Sequence, residues 1–340
     1  MSHEIFIDWI TINQFHAGKS LPVLVSGSTV VYDQYGIPRF ERARPARFIG
    51  SHETSIQITC NGVFVSLSGN AGRFSRPDNL FSYGVRETVQ KASHLVMDQG
   101  LPEFTPGFTA SNGQYTRGAT VSRLDITANY ATGSESQARA FIRWLADKSV
   151  SRMKKGRAGD ESVWFVNSRH MIKAYIKHIE MEKHGMSKDD QLYQWCKEQG
   201  IVRVEVELKK RMLDTEGLYH LEAITEEKLI EIYHRETEIL KRVDRSDEPD
   251  IIDSLPARYR MTAAAWLAGE DVRSFLSRAT LFRHAKVLRE YGLDILEPRS
   301  IVKFPTKVNV IELRPVSPPD WYQFNDTYND QPALRLVSNE

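Results

Sequence analysis

Three segments of this chain alternate apolar and polar residues with period two. In 201–211 (IVRVEVELKKR), Val202, Val204, Val206 and Leu208 stand against Arg203, Glu205, Glu207 and Lys209. In 119–131, Leu124, Ile126 and Ala128 oppose Arg123, Asp125, Thr127 and Asn129, and in 171–181, Ile172, Ala174 and Ile176 oppose Lys173, Tyr175 and Lys177. Successive side chains of a strand point to opposite faces, so each polar set lies on one side of its strand. If the three strands pair, their polar faces coincide and gather two carboxylates, a tyrosine, lysines and arginines. Taken one strand at a time, the pattern describes an antiparallel sheet with one solvated face.

Other segments read as strands too: 4–12, 28–33, 53–60, 63–68 and 162–168 are short, rich in β-branched and aromatic residues, and bounded by Gly, Asn, Pro or Asp. Asn61-Gly62 between two of them is a hairpin signal. Helices are expected at 83–98, 134–150 with Ser134 or Ser136 as cap, 187–198 and 224–242. Strands without strict βαβ alternation predict an α+β fold: a mainly antiparallel sheet domain flanked by helices, with a smaller C-terminal helical domain like a winged helix-turn-helix. The boundaries drawn are 1–243 for the sheet domain, an acidic linker at 244–256, a helical domain at 257–325 and a tail at 326–340. A β-hairpin is expected at 300–313, around Pro305-Thr306.

Composition narrows the function. With 41% hydrophobic and 26% charged residues the chain is globular, and its longest apolar runs fall short of a membrane span. MSHEIFIDWI has no basic start and carries acids in its apolar run, so it does not read as a signal peptide. Cys60 and Cys196 supply neither a disulfide framework nor a CxxC metal site, which fits a reducing cytoplasm. Forty-five basic against forty-four acidic residues leave no global basic field, so any nucleic-acid contact must come from local patches.

Asp125 and Glu205 are hard oxygen ligands suited to Mg²⁺ or Mn²⁺. A phenol can attack a phosphodiester and store the bond as a phosphotyrosine ester, but its ordinary pKa near 10 makes it a weak nucleophile that needs a metal or a basic neighbour. Lys177, two residues beyond Tyr175, can hold phosphate or stabilise a phenolate. Arg123, Arg203 and Lys173 can contact phosphate oxygens. Spacing alone leaves metal-assisted DNA transesterification as one reading among several.

The chain resembles the gene II/X replication initiator family of filamentous phages. The resemblance rests on VSRLDITANYA (121–131), ESVWFVNSRHMIKAYIKHIEME (161–182), IVRVEVELKKR (201–211), LFRHAKVLREYGLDI (281–295), PPDWY (318–322) and, more weakly, GRFSRPDNLFSYG (72–84). It implies that Tyr175 in AYIKH is the nucleophile and fixes the positions of Asp125 and Glu205. It further implies a nickase that binds origin duplex DNA, cuts one strand and later rejoins the displaced single strand into a circle. Host helicase and polymerase are implied partners, a homo-oligomer on DNA is allowed, and the implied setting is the host bacterial cytoplasm. The other reading is a non-catalytic origin-binding or regulatory protein of the same lineage. No His-hydrophobic-His motif is present. Glu180, in the compact YIKHIE block, is a third candidate ligand, although a regular strand would turn it and His178 away from Tyr175.

For DNA contact the candidates are Arg73, Arg76 and Asn79 in the family-matched loop, and Arg169-His170 ahead of the tyrosine strand. Two basic runs, RFERARPARF (39–48) and RMKKGR (152–157), add phosphate-tracking charge. In the C-terminal domain, Leu281, Phe282, Ala285 and Leu288 give an apolar helix face and leave Arg278, Arg283, His284 and Lys286 outward, with Ser277 as the cap.

Overall fold

The computed structural model describes residues 5–16, 20–107, 109–111, 114–148, 150, 152–241, 252, 255–291, 293–296, 314–324 and 335–337. The expected hairpin at 300–313, most of the acidic linker at 244–256 and most of the tail lie outside them.

Among the described residues, sixteen strands follow the chain: β1 (Phe6–Phe15), β2 (Val23–Leu24), β3 (Ser28–Tyr32), β4 (Pro38–Ala43), β5 (Ala46–Ile49), β6 (Ser55–Asn61), β7 (Phe64–Gly69), β8 (Thr109–Ser111), β9 (Gln114–Thr116), β10 (Thr120–Ala131), β11 (Lys154–Ala158), β12 (Ser162–Val166), β13 (His170–Ile176), β14 (Ile201–Lys209), β15 (Arg314–Pro315) and β16 (Arg335–Val337). Twelve form one sheet in the order β11-β12-β13-β14-β10-β1-β7-β6-β5-β16, with β15 added to β10 and β2 to β6. The register pairs within it are all antiparallel, as the α+β expectation required. The two remaining pairs, β3-β4 and β8-β9, are separate ribbons.

Helices α1 (Val85–Met97), α2 (Glu135–Asp147), α3 (Lys177–Lys183), α4 (Gln191–Glu198), α5 (Lys210–Thr215) and α6 (Glu226–Lys241) flank the sheet. Ser134 caps α2, its hydroxyl accepting from the Gln137 amide at 3.2 Å. Phe141, Ile142 and Leu145 of α2 and Leu229, Ile232 and Tyr233 of α6 join one core with Ile172, Ala174, Val204, Val206, Leu124 and Ile126. The apolar face of the alternation is therefore the buried face. A second, smaller core is built by α7 (Ala257–Leu267) and α8 (Arg278–Leu288), where Tyr259, Ala263, Trp266, Leu281, Ala285 and Leu288 pack together.

Two expected elements differ. Strand 171–181 ends at Ile176, and Lys177 opens α3, so 177–181 leave the pleat. RMKKGR is not a free loop: Lys154–Ala158 forms the edge strand paired with β12, where Trp164 packs over Gly156 and a Cβ on that glycine would meet the indole at 2.3 Å.

Candidate active site

The three polar faces do coincide. Tyr175 sits opposite Arg203 and Lys173 opposite Glu205 across β13 and β14; across β14 and β10, Glu205 faces Thr127, Glu207 faces Asp125 and Arg203 faces Asn129. Asp125 and Glu205 are thus diagonal neighbours on one face, within reach of long side chains.

Tyr175 and Glu205 form the centre. The phenol donates to Glu205 Oε1 at 2.5 Å, and Lys173 Nζ lies 3.8 Å from Oε2 and 4.3 Å from the centre of the tyrosine ring. Burial, followed by the Glu205 charge, raises the Tyr175 pKa well above 10. Burial and then the Asp8 carboxylate raise Glu205. A carboxylate pushed upward is a better proton acceptor, and Glu205 is the acceptor the phenol reaches, while the raised Tyr175 pKa itself opposes ionisation.

Asp125 is gripped by Arg123, which donates Nε at 2.9 Å and Nη2 at 2.7 Å, lies 3.4 Å from Glu207 and stacks over Trp9 at 4.9 Å. Burial nevertheless raises Asp125 to about 7 against the pull of that guanidinium. Between the two acids, the buried Thr127 hydroxyl has no hydrogen-bond partner among the described residues. Asp125, Glu205 and the Thr127 hydroxyl are hard oxygen donors of the kind that a divalent cation takes, although both Asp125 oxygens accept from Arg123 here.

Asp8 was not singled out in the sequence, although an acid inside EIFIDWITI is the signal that marks it. The β1–β10 register slips between Ile7 and Trp9, which leaves Asp8 as the extra residue of a bulge. Its Oδ1 accepts from Asn70 at 2.8 Å and Asn79 at 3.2 Å and lies 3.6 Å from Arg203.

Several expected roles change. Arg203 is fully buried and cannot clamp a phosphate at the surface; it donates to Asn129 Oδ1 and to the Asn79 and Leu80 carbonyls, holding the 70–84 loop against the sheet. Arg76 is likewise buried, bound to the Gly72 and Phe81 carbonyls and to Tyr322. Lys177 reaches the polar cluster from the first turn of α3, donating to Asn79 Oδ1 at 2.7 Å and Glu180 Oε2 at 2.5 Å. Burial alone would raise Glu180, but Lys177 and Arg203 hold it at about 2. Asp125, Glu205 and Glu180 do not form one ligand trio: among the described residues no group of three His, Cys, Asp or Glu is placed to hold a metal ion. The helix commits Glu180 to Lys177 instead.

His170 lies on the apolar face, where Nε2 meets Glu236 of α6 at 3.1 Å, so it pins a helix rather than facing the site. Arg169 donates to Met212 Sδ at 3.4 Å. His178 is buried against Tyr193, 3.7 Å from Glu135. Asn79 is a structural hub with little exposed surface. Arg73 keeps access, lining with Asn79, Glu180, Lys183 and His184 a cleft of about 540 Å³ beside the cluster. In α8, Arg278, Arg283 and Lys286 are exposed as expected. Leu281, Ala285 and Leu288 are buried as expected, whereas Phe282 is exposed and His284 turns inward to Thr262 Oγ1 at 2.9 Å.

Fold and site together define an α+β protein with a phenol–carboxylate centre set in the polar face of an antiparallel sheet. Residues 7–227 match the N-terminal family model of the phage gene II replication-associated protein, and residues 249–327 match the C-terminal model of the same protein; the chain belongs to this replication-associated protein family. It is 25% identical to the replication-associated protein of Enterobacteria phage I2-2, covering 93% of this chain and 96% of that protein. Its identity to the corresponding replication-associated protein of Escherichia phage If1 is also 25%, over 78% of this chain and 97% of the relative. A solved rolling circle replication initiator protein from Geobacillus stearothermophilus aligns over 62% of this chain and 76% of its own at 11% identity and a TM-score of 0.29, too weak a likeness to define a shared fold. Among the described residues no helix is long and apolar enough to cross a membrane.

Proposed function

We propose that this protein initiates rolling-circle replication by nicking one strand of an origin duplex through Tyr175 and later rejoining it. The observation that carries the reading is the Tyr175 hydroxyl donating to Glu205 on the shared polar face. In the forward step the phenol oxygen attacks phosphorus and Glu205 takes its proton; the P–O3′ bond breaks, and Glu205 passes that proton to O3′, which leaves as a 3′ hydroxyl. The new 5′-phosphotyrosine ester conserves the energy of the broken bond. Attack by a 3′ hydroxyl on that ester reverses the step and closes the displaced strand into a circle without ATP.

Mg²⁺ or Mn²⁺ held by Asp125 and by Glu205 Oε2, the oxygen that does not accept from the phenol, would neutralise charge on the phosphoryl oxygens. Arg123 holds Asp125 in its place through two hydrogen bonds. Lys173, partly exposed beside the phenol, supplies a further cation for the developing charge. The cleft at Arg73 gives the DNA strand a route past the cluster.

Incubation with supercoiled origin DNA and Mg²⁺ tests the proposal. Wild type should relax the DNA and yield a covalent adduct that maps to Tyr175, while Tyr175→Phe yields neither; an adduct retained by Tyr175→Phe overturns it. Origin binding without relaxation under any divalent metal would favour the non-catalytic reading.

A further inference from the structure

The region of the second family match does not stay with the helical domain. Residues 314–324 return to the sheet: Arg314 and Pro315 pair with Ala131 and Tyr130 along the edge of β10 that β1 leaves open, and the Val316 amide donates to the Asn129 carbonyl at 3.1 Å. Beyond that anchor, Trp321 meets Trp195 edge-on at 6.3 Å, Tyr322 meets Phe81 at 5.1 Å and Phe324 meets Tyr83 at 5.7 Å. The segment lies as a strap over the 70–84 loop.

Its contact with that loop is polar at one point. The Tyr322 hydroxyl donates to Asp78 Oδ1 at 2.8 Å and accepts from Arg76 Nη2 at 3.1 Å. Asp78 Oδ1 in turn accepts from the Leu80 amide at 2.9 Å, which fixes the turn carrying Asn79 between them. Asn79 is the residue through which the loop meets the site: its side chain accepts from Lys177 and donates to Asp8, and its carbonyl accepts from Arg203 at 2.5 Å. Arg203 is the cross-strand partner of Tyr175. Hydrogen bonds joined through the Asp78–Asn79 backbone thus run from the C-terminal strap to Arg203 on β14, the strand paired with the one that carries the phenol. Apolar packing alone would hold the strap; a half-buried tyrosine hydroxyl satisfied on both sides adds a fixed orientation.

We infer that Tyr322 is a positioning residue of the nicking centre, acting through Asp78 and Asn79, so that the docked C-terminal strap is a working part of the catalytic unit. This rests on the Tyr175 reading. Small displacements of groups around a reacting atom slow the chemical step while leaving remote binding contacts in place.

The test uses the full chain carrying Tyr322→Phe, Asn79→Ala or both, with supercoiled origin DNA and Mg²⁺. Tyr322→Phe should slow single-turnover nicking by about 10- to 100-fold, leave DNA affinity unchanged and speed amide hydrogen exchange across residues 70–84. In the Asn79→Ala background it should slow nicking no further. Asp78→Asn removes the charge that Tyr322 donates to without touching the ring packing, and should give the same split between rate and affinity; it carries the test if Tyr322→Phe does not fold. Unchanged nicking by Tyr322→Phe, equal slowing in both backgrounds, or unchanged exchange over 70–84 overturns the inference. The exchange measurement needs no turnover, so it separates failure of the strap from failure of the Tyr175 assignment, which the adduct of Tyr175→Phe decides.

Discussion

Burial holds Tyr175 in its protonated form, so if this phenol is the nucleophile its activation must come from Glu205. Glu205→Gln keeps the shape and a hydrogen-bond acceptor but removes the base. Single-turnover nicking should fall by about 10²- to 10⁴-fold, and a rate near wild type would exclude Glu205 as the proton acceptor. Glu180 shows the opposite arrangement: Lys177 and Arg203 outweigh its burial and hold its pKa at about 2, below the ordinary carboxylate value. A carboxylate depressed in the folded state contributes stability that is fully present above its unfolded pKa and is lost as pH falls toward the folded one. Denaturant melts should therefore show Glu180→Gln less stable than wild type at about pH 6, with the gap closing between about pH 4.5 and pH 2. A gap that stayed constant over that range would mean the ion pair contributes nothing through charge.

The strands that carry these residues were legible because period-two alternation reports both the element and its buried face. Asp125, Glu205, Lys173 and Tyr175 therefore fall where their spacing puts them. What alternation cannot report is what covers the polar face. Arg203 obeys the same pattern as Glu205, yet the 70–84 loop, aperiodic and turn-rich in sequence, folds over it and buries it completely. The β13–α3 junction was legible but easily overrun: period two stops at Ile176, and Ile179 falls three residues later, which is helical spacing. Gly200 shows how tightly the elements around the site meet. It follows α4 at φ +59, opens onto β14, and an added Cβ would lie 2.1 Å from the Ser134 carbonyl oxygen at the cap of α2. Gly200→Ala combines a left-handed backbone with a contact against rigid main chain and should cost about 2–5 kcal/mol. Chemical denaturation reads this directly, and a loss below about 0.5 kcal/mol would show that the junction relaxes freely.

The chain as a whole is almost neutral, so DNA attraction must be regional. Among the described residues the sheet offers few free cations near the site: Arg203 and Arg76 are interior, Arg123 is engaged with Asp125 and Glu207, and Lys177 is shielded from solvent. The exposed basic row of α8 has the opposite character. Arg278, Arg283 and Lys286 project from a helix whose buried side, Leu281, Ala285 and Leu288, belongs to a separate small core. The exposed basic row and the phenol–carboxylate centre thus lie on two separately packed cores, and the strap at 314–324 belongs in sequence to the second and in space to the first. If α8 supplies phosphate contacts, replacing all three cations with alanine should weaken origin binding and flatten the slope of log affinity against log salt by about one per lost contact. Covalent capture of saturating substrate by Tyr175 should be spared, because none of the three has a part in the phenol–carboxylate centre. Affinity titrations at several salt concentrations, paired with adduct yield at saturation, read both quantities. An unchanged slope would place the DNA on the sheet face alone, whereas a lost adduct at saturation would mean that α8 does more than hold DNA.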